Sequence, residues 1–231
     1  MKIGFIIFCR YNSTRLPGKI LKEIIPGKTV LDHLYIQLNK IVDQNDIIIG
    51  TSEESTDTPI KNHCELNNYN CFRGNLDNVS LRLIEIINHY QFDYVVRING
   101  DNLFIDHNIL QQMVSDAISN KYDFLSSVPE RTFPYGMSLE MVKSEFYKIE
   151  YPLFSLEEQE HVTLHFYNNP TKGKRKYYQN TLFPDLQGIK LAIDTDDDFN
   201  YATLIANFFV KNKKEINLKN INLAIKTLNN E

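Results

Sequence analysis

Ten consecutive residues, Arg10-Tyr11-Asn12-Ser13-Thr14-Arg15-Leu16-Pro17-Gly18-Lys19, bring together three cations, two hydroxyls and a Pro-Gly turn. Guanidinium forks, an ammonium, hydroxyls and free amides are the groups that hold the oxygens of a triphosphate. Two acidic clusters answer this basic loop further along the chain. Asp101 closes Arg97-Ile98-Asn99-Gly100-Asp101, and Asp194 opens Asp194-Thr195-Asp196-Asp197-Asp198. A carboxylate at the end of a buried strand loses solvation and needs a partner, and a divalent cation is one. Asp196, Asp197 and Asp198 suit the first turn of a helix, where the dipole favours negative charge. Asp106 suits a helix cap. Asp101 and Asp194 are then the metal candidates, and Mg2+ held by two carboxylates plus substrate phosphates fits the pair.

The elements that must position these groups alternate in type. Lys2–Cys9 reads as a buried strand, which puts the basic loop at its carboxyl end, where open α/β sheets bind ligands. A helix over Val30–Val42, a strand over Asp46–Thr51 and a polar loop over Ser52–Asp57 follow. The apolar period then predicts a helix over Asn78–Tyr90 with Asn78 as N-cap, a strand over Tyr94–Asn99 and a helix over Asn108–Asn120. Asp123–Ser127 suits a further strand. After residue 128 the pattern is broken by Pro129, Pro134, Gly136 and Pro152. Glu157–Asn168 reads as a helix capped by Ser155, Lys172–Gln179 as the start of a strand and Ile189–Ile193 as a short strand. Helices over Asp196–Val210 and Leu218–Leu228 finish the chain. Strands alternating with helices imply an α/β fold: a Rossmann-like, mostly parallel sheet with helices on both faces. We read residues 1–231 as a single domain in which 129–180 form an inserted lobe.

Composition narrows the function classes. The chain has 231 residues, 42% of them hydrophobic and 23% charged, with a formal net charge of −4. That is too apolar for a disordered chain, and no apolar run is long enough to span a bilayer. The acidic balance argues against a nucleic-acid coat protein but not against a small anionic ligand. The run Ile3–Cys9 is too short for a signal-peptide core, and Cys9, Cys64 and Cys71 are an odd set without metal spacing, so reduced thiols in a cytoplasm are the expectation. Gly27-Lys28-Thr29 fails as a P-loop because Lys22 stands where the earlier glycine belongs, and no Gly-x-Gly-x-x-Gly follows the first strand. His161 and His165 share a helical face, but Val162 stands where a zincin needs glutamate, so a structural or substrate-contacting role is expected. His33, His63, His89 and His107 read as surface residues, and Lys172-Gly173-Lys174-Arg175-Lys176 as a solvated turn.

The Ser-Thr-Arg-Leu-Pro-Gly-Lys core of the basic loop resembles the opening motif of the sugar cytidylyltransferases. It is most similar to the spore-coat polysaccharide biosynthesis branch, related to the CTP-dependent synthetases of sialic acid and 3-deoxy-manno-octulosonate. The resemblance continues through Arg73-Gly74-Asn75-Leu76-Asp77-Asn78-Val79 and Val95–Asp101. Phe133-Pro134-Tyr135-Gly136 with Glu140, Glu160-His161-Val162-Thr163 and Ile193–Phe199 complete it in the family's order. The sequence departs from the family's pattern at Cys9, Asn12, Asn78 and Asn102–Phe104.

The resemblance implies a nucleotide-diphospho-sugar transferase-like fold and transfer of CMP from CTP to a small acidic or phosphorylated sugar-like acceptor, with release of pyrophosphate. It implies that Arg10, Ser13, Thr14, Arg15, Lys19, Arg73 and Asn78 contact the nucleotide, with Lys19, Arg15 and Asp101 catalytic. Asp101 and Asp194 would hold Mg2+, and Tyr135, Gly136, Glu140 and His161 would face the acceptor. The 129–180 lobe would carry a homodimer contact, and no nucleic acid or membrane is expected as a partner. Two other readings stay open at this point: a catalytically weak nucleotide-binding or partner protein of the same fold, and a nucleotidyltransferase using another nucleotide such as GTP.

Overall fold

In the computed structural model, which describes residues 1–229, the run Ile3–Phe8 forms β1, and five of its six residues are buried. Its side chains alternate between two cores, as the strand period demands. Phe5 and Ile7 enter the larger core, and Ile6 and Phe8 the smaller. Next come a small hairpin, β2 (Glu23–Ile25) and β3 (Lys28–Thr29), and α1 (Val30–Asn39). Thr29 and Asp32 form a reciprocal capping box at the start of α1, which is the local reason the helix begins there. The chain continues through β4 (Ile47–Ser52), α2 (Thr58–Asn67), β5 (Asn70–Gly74), α3 (Val79–Tyr90), β6 (Tyr94–Asn99), α4 (His107–Asn120) and β7 (Phe124–Ser126). It ends with β8 (Glu140–Lys143), α5 (Ser144–Glu150), α6 (Leu156–Glu160), α7 (Leu164–Asn168), β9 (Arg175–Tyr177), α8 (Asp196–Asn212) and α9 (Leu218–Leu228).

The main sheet has the order β5-β4-β1-β6-β8-β7-β9. Its β5-β4-β1-β6 half is parallel, and β8 alone runs against its neighbours. Residues from α1, α4, α8 and α9 fill the larger core, and residues from α3, α5 and α7 the smaller. Helices therefore cover both faces, which is why the central strands read as unbroken apolar runs. Among the described residues no helix is long and apolar enough to cross a membrane.

Three expected elements differ. The helix expected over Glu157–Asn168 is two short ones, broken at His161, whose φ of −100° and ψ of 70° are not helical, and the next two residues bond outside it. The Val162 carbonyl accepts from Tyr147 OH at 2.9 Å, and Thr163 Oγ1 donates to Glu140 at 2.8 Å. Ile189–Ile193 makes a single bridge, Lys190 to Tyr135, bends at Ala192 and is no strand of the sheet. The expected loop Ser52–Asp57 leads straight into α2 and the edge strand β5, neither of which was anticipated.

Candidate active site

The basic loop is shaped from beneath by a residue that sequence reasoning passed over. Buried Asp57 accepts from the Tyr11 amide at 2.7 Å, from Ser52 Oγ at 2.5 Å and from Thr51 Oγ1 at 3.0 Å. Burial would raise the Asp57 carboxyl, but these hydrogen bonds outweigh it and hold it below the usual range. Gly18 closes the loop with φ of 71°, its amide donating to the Tyr11 carbonyl at 2.8 Å. Glycine, lacking a Cβ, adopts that left-handed turn at no steric cost. Buried Ile20 then pins the next turn, so Lys19 leaves the loop from a fixed point.

Lys19 is the pivot of the site. Its Nζ donates to the Ile193 carbonyl at 2.5 Å and lies 3.7 Å from Asp101 and 3.9 Å from Asp194. Arg15 donates to Asp194 Oδ1 at 2.7 Å. The Ile193 amide in turn donates to the Asp101 carbonyl at 3.3 Å, which ties the second acidic cluster to the end of β6. Thr195 caps α8 through a capping box with Asp198, so Asp194 stands just ahead of the helix.

These groups border a cleft of about 360 Å³ at the carboxyl ends of β1 and β6. Of the sequence-derived candidates, Arg10, Ser13, Thr14, Arg15, Lys19, Asp101, His161 and Asp194 all line it. Five do not, and each has other work. Arg73 donates to the Ser52 and Glu54 carbonyls, bracing the turn before α2. Asn78 caps α3 through the Leu81 amide, and its Nδ2 donates to Tyr151 OH at 2.9 Å and Gln159 Oε1 at 2.8 Å. Glu140 is buried and holds Arg97, Thr163 and Tyr167. Tyr135 pairs its backbone with Ile189 and Leu191 away from the cleft. Gly136, with φ of 94°, packs so closely on Ala192 that an added Cβ would lie 2.4 Å from that amide nitrogen.

The cleft also holds residues the sequence did not single out, chiefly Arg82, Arg97 and Asp77. Arg82 is buried and clamps the turn before α3, donating to the Asn75 carbonyl at 2.6 Å and to Leu76 at 3.1 Å. Five cationic side chains border the cleft against four carboxylates, so it is locally positive in a chain of charge −4. Cys9 lines it too, but burial pushes its thiol up, which leaves no thiolate nucleophile near neutral pH.

The histidines separate by role. His161 faces the cleft, whereas His165 is buried with its two ring nitrogens 3.0 Å from Glu150 and 3.1 Å from Glu158. His33 and His107 are buried rather than superficial, and burial lowers the His33 ring to about 4. The Lys172–Lys176 run is not a free turn. Lys172 pairs with Glu150 at 2.6 Å and Lys176 with Asp116 at 2.7 Å. Among the described residues no group of three or more His, Cys, Asp or Glu side chains is arranged for a metal.

The sequence and the fold have counterparts in known proteins. The chain is 27% identical, with a TM-score of 0.89, to a cytidylyltransferase structure from Leptospira borgpetersenii, over all of this chain and 94% of that one. At 15% identity and a TM-score of 0.67 it shares its fold with a CMP:2-keto-3-deoxy-manno-octonic acid synthetase, over 90% of this chain and 99% of that one. It is 29% identical to the spore coat polysaccharide biosynthesis protein SpsF of Bacillus subtilis, covering 85% of this chain and 83% of that protein. A cytidylyltransferase family model matches residues 4–216. The chain therefore belongs to the cytidylyltransferase family.

Proposed function

We propose that the protein transfers CMP from CTP to a small acidic or phosphorylated sugar-like acceptor, releasing pyrophosphate, as a step in making a surface polysaccharide or other glycan. The observation that carries this reading is Lys19, which faces Asp101 and Asp194 together from a loop bearing Arg10, Arg15, Ser13 and Thr14. An acceptor hydroxyl oxygen attacks the α-phosphorus, the bond to the β-phosphate oxygen breaks, and the hydroxyl proton passes to solvent. Arg10, Arg15 and Lys19 hold the departing pyrophosphate, where negative charge builds. Phe8, Leu76 and Val79 offer the apolar wall for the base. Positioning and fixed charge supply most of the rate in such a transfer.

Asp101 and Asp194 fit magnesium. Both are oxygen donors facing the cleft, and they already share one cation, the Lys19 ammonium. Two carboxylates leave most of the shell to phosphate oxygens and water, the usual arrangement for this ion. Magnesium held there would offset phosphate charge and polarise the α-phosphate. We place a homodimer contact on the 129–180 lobe, where Ile149, Leu153 and Leu156 are exposed apolar side chains.

Two measurements test the reading. Thermal shift with CTP, GTP, UTP and ATP, each with magnesium, should show CTP raising the melting temperature most, because ligands of the native state stabilise it. Pyrophosphate release should then depend on both CTP and an acidic or phosphorylated sugar. A response to GTP alone would make the protein a guanylyltransferase. CTP binding without pyrophosphate release from any acceptor would leave it a nucleotide-binding protein.

A further inference from the structure

Of the five cations at the cleft, Arg97 is spoken for differently from the rest. Arg15 and Lys19 face the two aspartates, and Arg82 is consumed by backbone carbonyls. Arg97 sits on β6 opposite Glu140 of the antiparallel strand β8. Its Nη1 donates to Glu140 and, at 3.4 Å, to Thr163 Oγ1. Its Nε is buried without a partner among the described residues, and the side chain, 21% exposed, lines the cleft beside His161. Nη1 is thus fixed from behind and Nε is shut in, which leaves Nη2 as the nitrogen with neither a hydrogen bond nor full burial among the described residues. A buried N–H left unpaired is costly, and such exceptions call for an explanation.

Glu140 is built to hold this arrangement. It is 4% exposed, and its Oε1 accepts from Thr163 Oγ1 at 2.8 Å and from Tyr167 OH at 2.5 Å. Its remaining oxygen serves Arg97. Arg97 also lies off the phosphate loop. It shares a strand face with Asn99, which places their Cα atoms about 7 Å apart. The geometry points to Arg97 as the anchor for an anionic group of the acceptor, a carboxylate or a phosphate, with Glu140 as its positioning residue. This rests on the nucleotidyl-transfer reading and deepens it. The loop cations serve the triphosphate, and a separate fork, set by a buried carboxylate, selects acceptors that carry their own negative charge. Nη2 carries two N–H donors for either anion, and a neutral sugar offers them no charged acceptor.

The test is equilibrium binding in the presence of magnesium and a CTP analogue with a methylene between the α- and β-phosphorus, which cannot be cleaved there. The probes are 3-deoxy-manno-octulosonate, glucose 1-phosphate and glucose. The wild type should bind one of the anionic probes at least about tenfold more tightly than glucose, and which one identifies the anion. Arg97→Met should weaken that probe by about a hundredfold while leaving nucleotide affinity within about twofold. Arg97→Lys, which keeps a charge for Glu140 but loses the fork, should recover part of the loss. Glu140→Gln should weaken the probe by about tenfold in the same direction. Should Arg97→Met fail to fold, Arg97→Met with Glu140→Gln removes both charges of the pair and gives the same reading. Equal binding of charged and neutral probes to the wild type, or undiminished anion affinity in the Arg97 variants, would overturn the assignment. So would parallel loss of nucleotide, since Arg97 would then belong to the triphosphate site. Failure of the wild type to bind the CTP analogue would sink the nucleotidyl-transfer reading and this assignment with it, whereas the other outcomes sink this assignment alone.

Discussion

Replacing Lys19 by methionine keeps the aliphatic stem and removes one charge, and the structure sets what should follow. The ammonium lies 3.7 Å from Asp101 and 3.9 Å from Asp194. At an effective dielectric of about 20, each pair is worth roughly 4 kcal/mol before costs. Most of that is offset by desolvation of a Lys19 side chain only 14% exposed and by solvent reaching the Asp101 side chain, which is 33% exposed. A net loss of about 2 kcal/mol is therefore expected, or a melting temperature lower by about 6 °C for a chain of this size. The loss has a specific remedy. Without Lys19 the two carboxylates repel each other across the cleft, and a divalent ion takes the vacated role. Magnesium should thus raise the melting temperature of Lys19→Met by more than that of the wild type. Turnover, measured as pyrophosphate release at saturating CTP, should nevertheless fall on the order of a hundred- to a thousandfold, since the leaving group has lost a fixed cation. An equal magnesium response in the two proteins would refute the shared-cation account, and turnover within threefold of wild type would refute the role of Lys19.

Three further expectations separate the cleft from its supports. Arg82→Met frees the Asn75 and Leu76 carbonyls, so steady-state kinetics should show KM for CTP raised about tenfold with kcat little changed, alongside a stability loss of about 3 kcal/mol in urea. Asn78→Ala removes a helix cap and two bonds to Tyr151 and Gln159; it should cost about 2 kcal/mol in urea while leaving KM for CTP within twofold, and a large KM change would put Asn78 back at the nucleotide. The Glu158 carboxyl would be raised by burial, but bonds from the Ser155 amide, Asn168 and His165 outweigh this and hold it at about 2. With the folded value depressed, its contribution is present above the ordinary value of 4.5 and is lost as pH falls toward 2, so Glu158→Gln should flatten the urea stability profile across that interval.

How much of this was legible in sequence follows from where each group's partners lie along the chain. β1, β4 and β6 are buried on both faces, so their apolar runs located them to within a residue or two. α2 and β5 escaped because they lie at the sheet edge. In α2 only Ile60 and Cys64 are buried, and β5 is mostly half-exposed, so neither carries a strong period. The basic side of the cleft was readable because Arg10–Lys19 is one contiguous run, whereas the groups that hold it, Asp57, Asp101 and Asp194, lie far along the chain. Asp57 escaped because its bond to Tyr11 spans 46 positions. Glu140 was expected to face the acceptor, but the antiparallel pairing of β8 with β6 sets it against Arg97, 43 positions away, and a buried carboxylate beside a guanidinium is spent on that pair. The expected helix breaks at His161, whose φ of −100° and ψ of 70° are not helical, and Thr163 beyond the break completes the Glu140 shell. A single antiparallel strand in a parallel sheet thus sets Glu140 as the support of Arg97, a residue the sequence placed in the β6 block without a role and which we propose meets the acceptor. Substitutions along β8 that shift its register should for this reason impair acceptor binding before they impair CTP binding.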